Sequence, residues 1–399
     1  MSSAGDSHPL WPEDPARRTL LILFLLASAL YWISLYLYVP TLPTYVRNRT
    51  ESLSLVGVVL AQYGLWQTIV RVPIGIGADW WGRRKPFILA GFLLSAIGAL
   101  VLGSAASVEG LILGRAITGL AAATWVPLVA AFSTLFPPEK AIQATAALSF
   151  AGTGGRLLAT SITGSLNTLG GYSLAFFLAA GAAGLAALAL GPTRPANSPS
   201  KRPSARGIGV LVTRADVLLP SILAAALQYV TWASSFGFIP VLAEELGATD
   251  VTQSILVSLY IGVSLAGNLG TTTLLSHVGV RTLTSASFLL TAVGVGAAAL
   301  APSLPLIHLA QVCIGLSHGI AYPLLMGLTI RDVADGDRTV AMGLHQAIYA
   351  AGMFAGPALS GYLAGVVGIQ PMFGLTALAC LLPLVLGHRW LSGRPAQVE

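Results

Sequence analysis

The stretch FILAGFLLSAIGALVLGSAA, from Phe87 to Ala106, contains no charged residue. A helix needs about 20 mostly apolar residues to cross the hydrocarbon core of a bilayer. In lipid every backbone N–H and C=O must find its partner inside the protein, so such a stretch folds as a helix. Similar runs recur at 19–43, 54–78, 109–136, 141–168, 172–191, 217–243, 252–276, 281–301, 304–330, 339–365 and 369–389. With 86–106 this predicts twelve helices by apolar length and pattern. The chain is 55% hydrophobic and 9% charged, against about 25% charged in a water-soluble domain. The expected fold is all-α and integral to a membrane, with twelve transmembrane helices arranged as two six-helix bundles.

The polar breaks set the organisation. Residues 1–18 read as a retained cytoplasmic tail, since they lack the apolar core of a secretory signal. Residues 19–191 form the first bundle and 217–389 the second. Between them 192–216 includes PTRPANSPSKRPSAR, a Pro- and Ser-rich basic linker, and 390–399 are a second cytoplasmic tail. Of the 21 Lys and Arg residues, all but Arg47, Arg49, Arg71, Arg115 and Arg156 fall in the tails, the linker or the even-numbered loops. The positive-inside rule then puts both termini in the cytoplasm of a cell-membrane protein. The net charge of +6 is thereby a matter of topology, and no nucleic-acid partner is expected. Cys313 and Cys380 lie in separate runs and suggest neither a disulfide nor a metal site. No phosphate-binding loop, metal-ligand cluster or catalytic triad appears, so no cofactor, no metal and no enzyme activity are expected.

The two halves repeat. Gly82 and Arg84 recur 197 positions later as Gly279 and Arg281, Gly119 and Pro127 recur 196 later as Gly315 and Pro323, and Gly155 and Gly164 recur as Gly352 and Gly361. Tandem six-helix repeats imply a pseudo-twofold axis along the membrane normal, with a binding site between the halves near the midplane.

On these residues the chain resembles the major facilitator superfamily. Its loop 2–3 signature, Gly-x-x-x-Asp-x-x-Gly-Arg-Arg, is matched by Gly75, Asp79, Gly82, Arg83 and Arg84. LxxxRxxTG, from Leu111 to Gly119, is similar to a second signature whose arginine is Arg115. The Gly-x-x-x-Gly-Pro motif of the drug:H+ antiporter branch is degraded in the fifth run and stands instead in the eleventh, at Gly352, Gly356 and Pro357. The resemblance implies secondary transport by alternating access, a small-molecule substrate, the lipid bilayer as surroundings and a monomer as working unit. Gly75 and Gly82 are expected to permit close helix packing, and Asp79 to sit near a helix N-terminus. Arg83, Arg84 and Lys85 are expected to face Asp332, Asp335 and Asp337 as a latch that holds the cytoplasmic ends together when the cavity opens outward.

Ionisable residues inside a span mark sites by default. Arg115 and Arg156 are expected to bind substrate, whereas Arg71, nearer the inner end, reads as a structural residue able to snorkel. No run carries an interior Asp or Glu. Guanidinium groups without carboxylates suit an anion held by charge-assisted hydrogen bonds. Helical spacing adds Trp32, Tyr36, Gln62, Trp66, Gln67, Gln228, Trp232, Gln311, His318 and Tyr349 to the lining, with Tyr63, His308 and Tyr322 on the same stripes. His318 and His345 are the candidate proton carriers. Tyr38, Tyr45 and Trp11 read as aromatics of the membrane interface. Two transport expectations follow: export of amphipathic compounds, with H+ as coupling ion, or uniport or exchange of an organic anion or anionic lipid held by the cavity arginines.

Overall fold

The computed structural model describes residues 14–137, 140–193, 209–334 and 337–392. Most of each expected tail and of the expected linker lies outside them, while residues 15–18 and 390–392, expected as tail, are helical. Among the described residues ten helices are long and apolar enough to cross a membrane. Two of these, Ala141–Leu190 and Asp250–Ala299, are 50 residues long and are each divided by non-helical glycines, Gly170 with Gly171 and Gly279. At 1.5 Å per residue an unbroken helix of that length would be about 75 Å long, more than twice the hydrocarbon core. Each division therefore separates two spans, which makes twelve.

In chain order these are α1 (Pro15–Tyr36), α2 (Leu53–Trp81), α3 (Lys85–Ser104), α4 (Val108–Ala123, continued by Trp125–Ser133), α5 (141–169), α6 (172–190), α7 (Ala215–Ala233), α8 (250–278), α9 (280–299), α10 (Leu304–Arg331), α11 (Arg338–Val367) and α12 (Ile369–Ala379, continued by Leu381–Ser392). Beyond α1 the chain passes through a 3-10 turn, Val39–Thr41, into Leu42–Arg47, and beyond α7 through a π-helical turn, Ser234–Phe238, into Ile239–Glu245. Helix starts carry their own stops for the orphan N–H groups: Ser52 and Ser107 hydroxyls accept from Leu55 and Gly110, as N-cap side chains do.

The turns repeat with the same offset as the sequence. Gly82 and Gly279, 197 apart, have φ of 67° and 76°, and Gly171 and Gly368 have 69° and 90°. Only glycine adopts these values without steric cost. The helix crossings repeat too. A Cβ on Gly155 in α5 would strike the Ala29 carbonyl of α1, and one on Gly352 in α11 would strike Ala225 of α7. Gly119 in α4 lies against the Tyr63 backbone of α2, as Gly315 in α10 lies against that of Tyr260 in α8.

The seam between the halves obeys the same symmetry. Gly361 of α11 packs on Leu53 and Gly57 of α2, and Gly164 of α5 on Asp250 and Val251 of α8. Polar bonds join the halves beside these crossings. Arg47 pairs with Glu245 at 2.7 Å. Asp250 accepts from Asn167 at 2.8 Å and from Tyr172 at 3.3 Å. The Thr44 hydroxyl donates to Gln253 at 3.0 Å, and Gly164 N donates to the Ser254 hydroxyl at 2.6 Å. The seam is closed at the end that carries Arg47 and Glu245.

At the opposite end the basic loop engages its own half. Arg84 donates through Nε and Nη2 to one Asp79 oxygen, at 3.2 and 3.0 Å, and through Nη1 to the Ala130 carbonyl. Lys85 bonds the carbonyls of Gly191 and Thr193. In the other half Arg331 pairs with Asp332, and Arg214 with Asp216 and the Asp332 carbonyl. The latch pairing of Arg83 and Arg84 with Asp332 is thus not made in this conformation, and Asp335 lies outside the described residues.

Three local expectations change. Asp79 lies in the last turn of α2, not at a helix N-terminus, so Arg84 rather than the helix dipole stabilises it. Gly82 has nothing within 4 Å of a would-be Cβ and Gly75 only an ordinary contact with Val126 at 3.5 Å. Gly82 serves the turn through its positive φ, and neither glycine is a close-packing point. Tyr38 and Tyr45 are 1% and 2% exposed, in tilted ring contact with Phe176 within the first half, not set at the membrane interface. Trp11 lies outside the described residues.

Candidate functional site

Helical spacing turns the aromatic residues of α1, α2, α7, α8, α10 and α11 toward one another across the seam. A chain of rings results. Trp125 meets Trp32 with centroids 5.2 Å apart, Trp32 meets Tyr36 at 5.7 Å, and Tyr36 meets Phe236 at 5.8 Å. Phe236 touches Trp232 at 5.0 Å and Tyr260 at 5.3 Å. Trp232 stacks on Tyr63 at 4.9 Å. From Tyr260 the chain runs to His318, to Tyr322, which stacks on it at 5.6 Å, and to Tyr349 at 5.5 Å. Edge-on and offset contacts of this kind are the favoured ones between rings.

All three interior arginines lie against these rings. The Arg156 guanidinium is 4.6 Å from the Trp32 centroid and 5.6 Å from that of Tyr36. Arg115 is 4.2 Å from Tyr63 and 5.8 Å from Trp232. Arg71 is 5.9 Å from Tyr349. Desolvated contacts of this type are worth about 2 kcal/mol each. Arg71 is buried and donates to Gln67 and, across the seam, to Gln346 at 2.8 Å, so it joins the halves instead of snorkelling. Arg156 donates to Thr153 at 2.9 Å. Its Nε and the neighbouring Trp32 Nε1 are buried N–H donors with no partner. The described span interiors present no carboxylate to any of the three.

The second half supplies neutral polar groups. His318 holds Gln228 through Nε2 at 2.9 Å and Ser264 through Nδ1 at 3.1 Å. Gln311 accepts from Ser235 at 2.7 Å and donates to the Leu256 carbonyl at 3.3 Å. His345 is fully buried, with Nδ1 bonded to Ser221 and Thr329. Those two hydroxyls already donate to backbone carbonyls, so Nδ1 carries the proton toward them and Nε2 is left without a partner. His308 turns to the Leu304 carbonyl of its own helix.

Of the residues chosen by spacing, Trp32, Tyr36, Arg156, Trp232, Gln228, His318, Tyr349, Arg115 and Gln67 are brought into one connected region. Gln62 bonds the Val58 carbonyl of its own helix, Trp66 is half-buried, and His345 stands apart from the ring chain. Spacing missed Phe236, Tyr260 and Trp125. Tyr260 was within reach, because it is Tyr63 displaced by the repeat offset of 197.

The sequence profile described as Major Facilitator Superfamily matches residues 24–227 and 221–399. The chain belongs to this superfamily. It is 34% identical over 182 residues to the putative uncharacterized transporter YgaY of Escherichia coli K12, which covers 45% of both chains. It is 26% identical over 181 residues to a chloramphenicol efflux pump of Mycobacterium tuberculosis H37Rv, covering 45% of this chain and 43% of the pump. These matches span under half of either relative's length. Among solved structures, a bacterial homologue of the human lysosomal transporter Spinster superposes with a TM-score of 0.79 at 16% identity, over 97% of this chain and all of that one. The human organic anion transporter MFSD10 superposes at 0.67 and 17% identity, over 94% of this chain and 100% of that one. The last two likenesses show the fold. The protein has the membrane-embedded helical fold of that superfamily.

Proposed function

We propose that this superfamily member moves an amphipathic organic anion across the cell membrane by alternating access, with Arg156 and Trp32 binding the negative group and the ring chain the apolar body. One observation carries the reading: three interior guanidinium groups lie on aromatic faces and no interior carboxylate answers them. A buried charge without a counter-charge is strongly disfavoured, and an anionic ligand supplies it. The unpartnered Nε of Arg156 and Nε1 of Trp32 are the donors such a ligand would take. The basic loops support a cytoplasmic position for both termini by the positive-inside rule. The Arg47–Glu245 end then faces outward, and this conformation is closed to the exterior. In the opposite state Arg83 and Arg84 would meet Asp332.

A second reading is export of neutral amphipathic compounds with H+ as coupling ion. Likeness to the chloramphenicol efflux pump supports it, with His318, at the centre of the ring chain, as the titrating group. Proteoliposomes separate the two. For the anion reading, uptake of an anionic amphiphile accelerates with substrate on the far side and exceeds that of neutral and cationic analogues. For the export reading, an imposed pH gradient drives the neutral compound. If Arg156→Ala leaves affinity for every transported anion intact, the anion reading is wrong.

A further inference from the structure

The turn between α2 and α3 carries a hollow that the transport reading does not use. α2 ends at Trp81 and α3 begins at Lys85. Gly77, Trp80, Trp81 and Phe87 line a groove of about 470 Å³ there. Trp81 meets Phe87 edge-on, with centroids 5.9 Å apart. Gly77 leaves its side of the groove open, since a Cβ there would reach only the Phe87 ring, at 3.7 Å. Trp80 and Trp81 are 75% and 59% exposed, so the chain itself leaves both large rings uncovered. An exposed apolar patch of this kind marks a contact surface.

The groove faces lipid rather than the seam. Arg71 reaches across the seam to Gln346. Trp80 follows Arg71 by nine residues, about two and a half helical turns, and so lies on the opposite face of α2. Ile69 and Ile76 are exposed on that face with it. Charge collects at the same turn. Arg84 is paired with Asp79. Lys85 is held by the carbonyls of Gly191 and Thr193, which carry no charge. Arg83 is exposed and, in this conformation, has no hydrogen-bond or ion-pair partner among the described residues. Two positive charges thus stand unanswered beside an apolar groove at the end of a span.

We propose that this groove binds one anionic phospholipid of the leaflet at this end, its phosphate at Arg83 and its acyl region between Trp80, Trp81 and Phe87. The acyl chain continues along the stripe of Ile76 and Ile69. Tryptophan rings at headgroup level and basic side chains beside anionic headgroups are favoured partners of such a lipid. A zwitterionic lipid offers the same apolar part but no net charge to answer Arg83 and Lys85. A second copy of the chain is a poor occupant, because two of these faces would bring like charges together. None of these residues belongs to the ring chain, so the proposal stands whatever the cargo.

The test uses the full chain in phosphatidylcholine vesicles that contain phosphatidylglycerol, with the acyl chains of one lipid or the other brominated. Bromine quenches the fluorescence of a tryptophan that it touches. The chain has eight tryptophans, so the signal of the site is the difference between the wild type and a variant carrying Trp80→Phe and Trp81→Phe together. At equal mole fraction, phosphatidylglycerol occupies the site about fivefold more than phosphatidylcholine. Arg83→Gln brings the ratio to about one, and Arg83→Lys keeps the preference. Gly77→Leu, which fills the groove and leaves every charge in place, also removes it. Arg83 and its turn are exposed, so these changes leave the fold intact. The proposal is overturned by equal quenching from the two lipids, or by a preference that survives Arg83→Gln or Gly77→Leu. It is equally overturned if neither lipid quenches because a second copy covers the tryptophans. A lost lipid preference alongside an intact Arg156 dependence of organic-anion affinity removes this site and leaves the transport reading untouched.

Discussion

The two halves share a skeleton and differ in charge. Turn glycines, backbone crossings and seam contacts recur at offsets of 196 or 197, from Gly82 and Gly279 to Gly164 and Gly361. Yet the interior cations, Arg71, Arg115 and Arg156, all belong to the first half, and the second answers them with Gln228, Gln311, His318 and Tyr349. Where bare backbones touch, only glycine fits, so both copies must keep it. Where side chains face an internal space, each copy is free to vary. Symmetry therefore marks the packing that both halves share, and asymmetry marks where their side chains are free to differ.

The largest expected effect tests the shared part. Leucine at Gly361 or at Gly164 would collide with the backbone of the partner helix. Overpacking of about 3 kcal/mol disfavours the closed seam ~100-fold, and transport by membrane-inserted protein falls to background for both variants alike. If one glycine tolerates leucine and its mate does not, the seam is not symmetric in function. The next effect tests the difference. Arg156→Ala weakens binding of an anionic substrate by about 1.5–3 kcal/mol, and His318→Ala, which removes neutral hydrogen bonds, by about 0.5–1.5 kcal/mol. Equal losses in a ligand-binding titration would erase the distinction between the halves. Smaller still, Gly82→Ala and Gly279→Ala each force a side chain to positive φ, and each destabilises by about 1–2 kcal/mol, read as matching drops in unfolding temperature. Smallest is the pair Arg84→Ala and Arg281→Ala. Arg84 holds Asp79, and its loss slows transport by a factor consistent with about 1 kcal/mol. Arg281 meets His388 and, among the described residues, no acid, and its replacement leaves the rate within about twofold.

Spans, repeat and superfamily were legible in the sequence because each is a periodic or spaced property. Apolar length shows a span, and an offset of 197 shows a repeat even where few residues match. The stripe His318, Tyr322 and the pair Trp32, Tyr36 were legible for the same reason. What spacing could not show is which rings meet across the seam. Trp232 beside Arg115 depends on how two helices cross, and Phe236 enters only because a π-helical turn at Ser234–Phe238 re-aims it. Asp79 misled because its place beside a loop left open which helix end it would occupy. Tyr38 looked like an interface aromatic since it lies near the end of an apolar run. The 3-10 turn at Val39–Thr41 carries the chain on into Leu42–Arg47, so that run does not end there.

Three fixed cations in one half have an electrical consequence. In the alternating access proposed above, rocking of the halves would shift these charges relative to the voltage drop across the lipid, and moving one elementary charge through the full drop involves about 2.3 kcal/mol at 100 mV. Even a fraction of that travel biases which face is open in an energised cell. Turnover then depends on polarisation when the cargo itself is uncharged, and a bound anion that travels with the cations reduces that dependence.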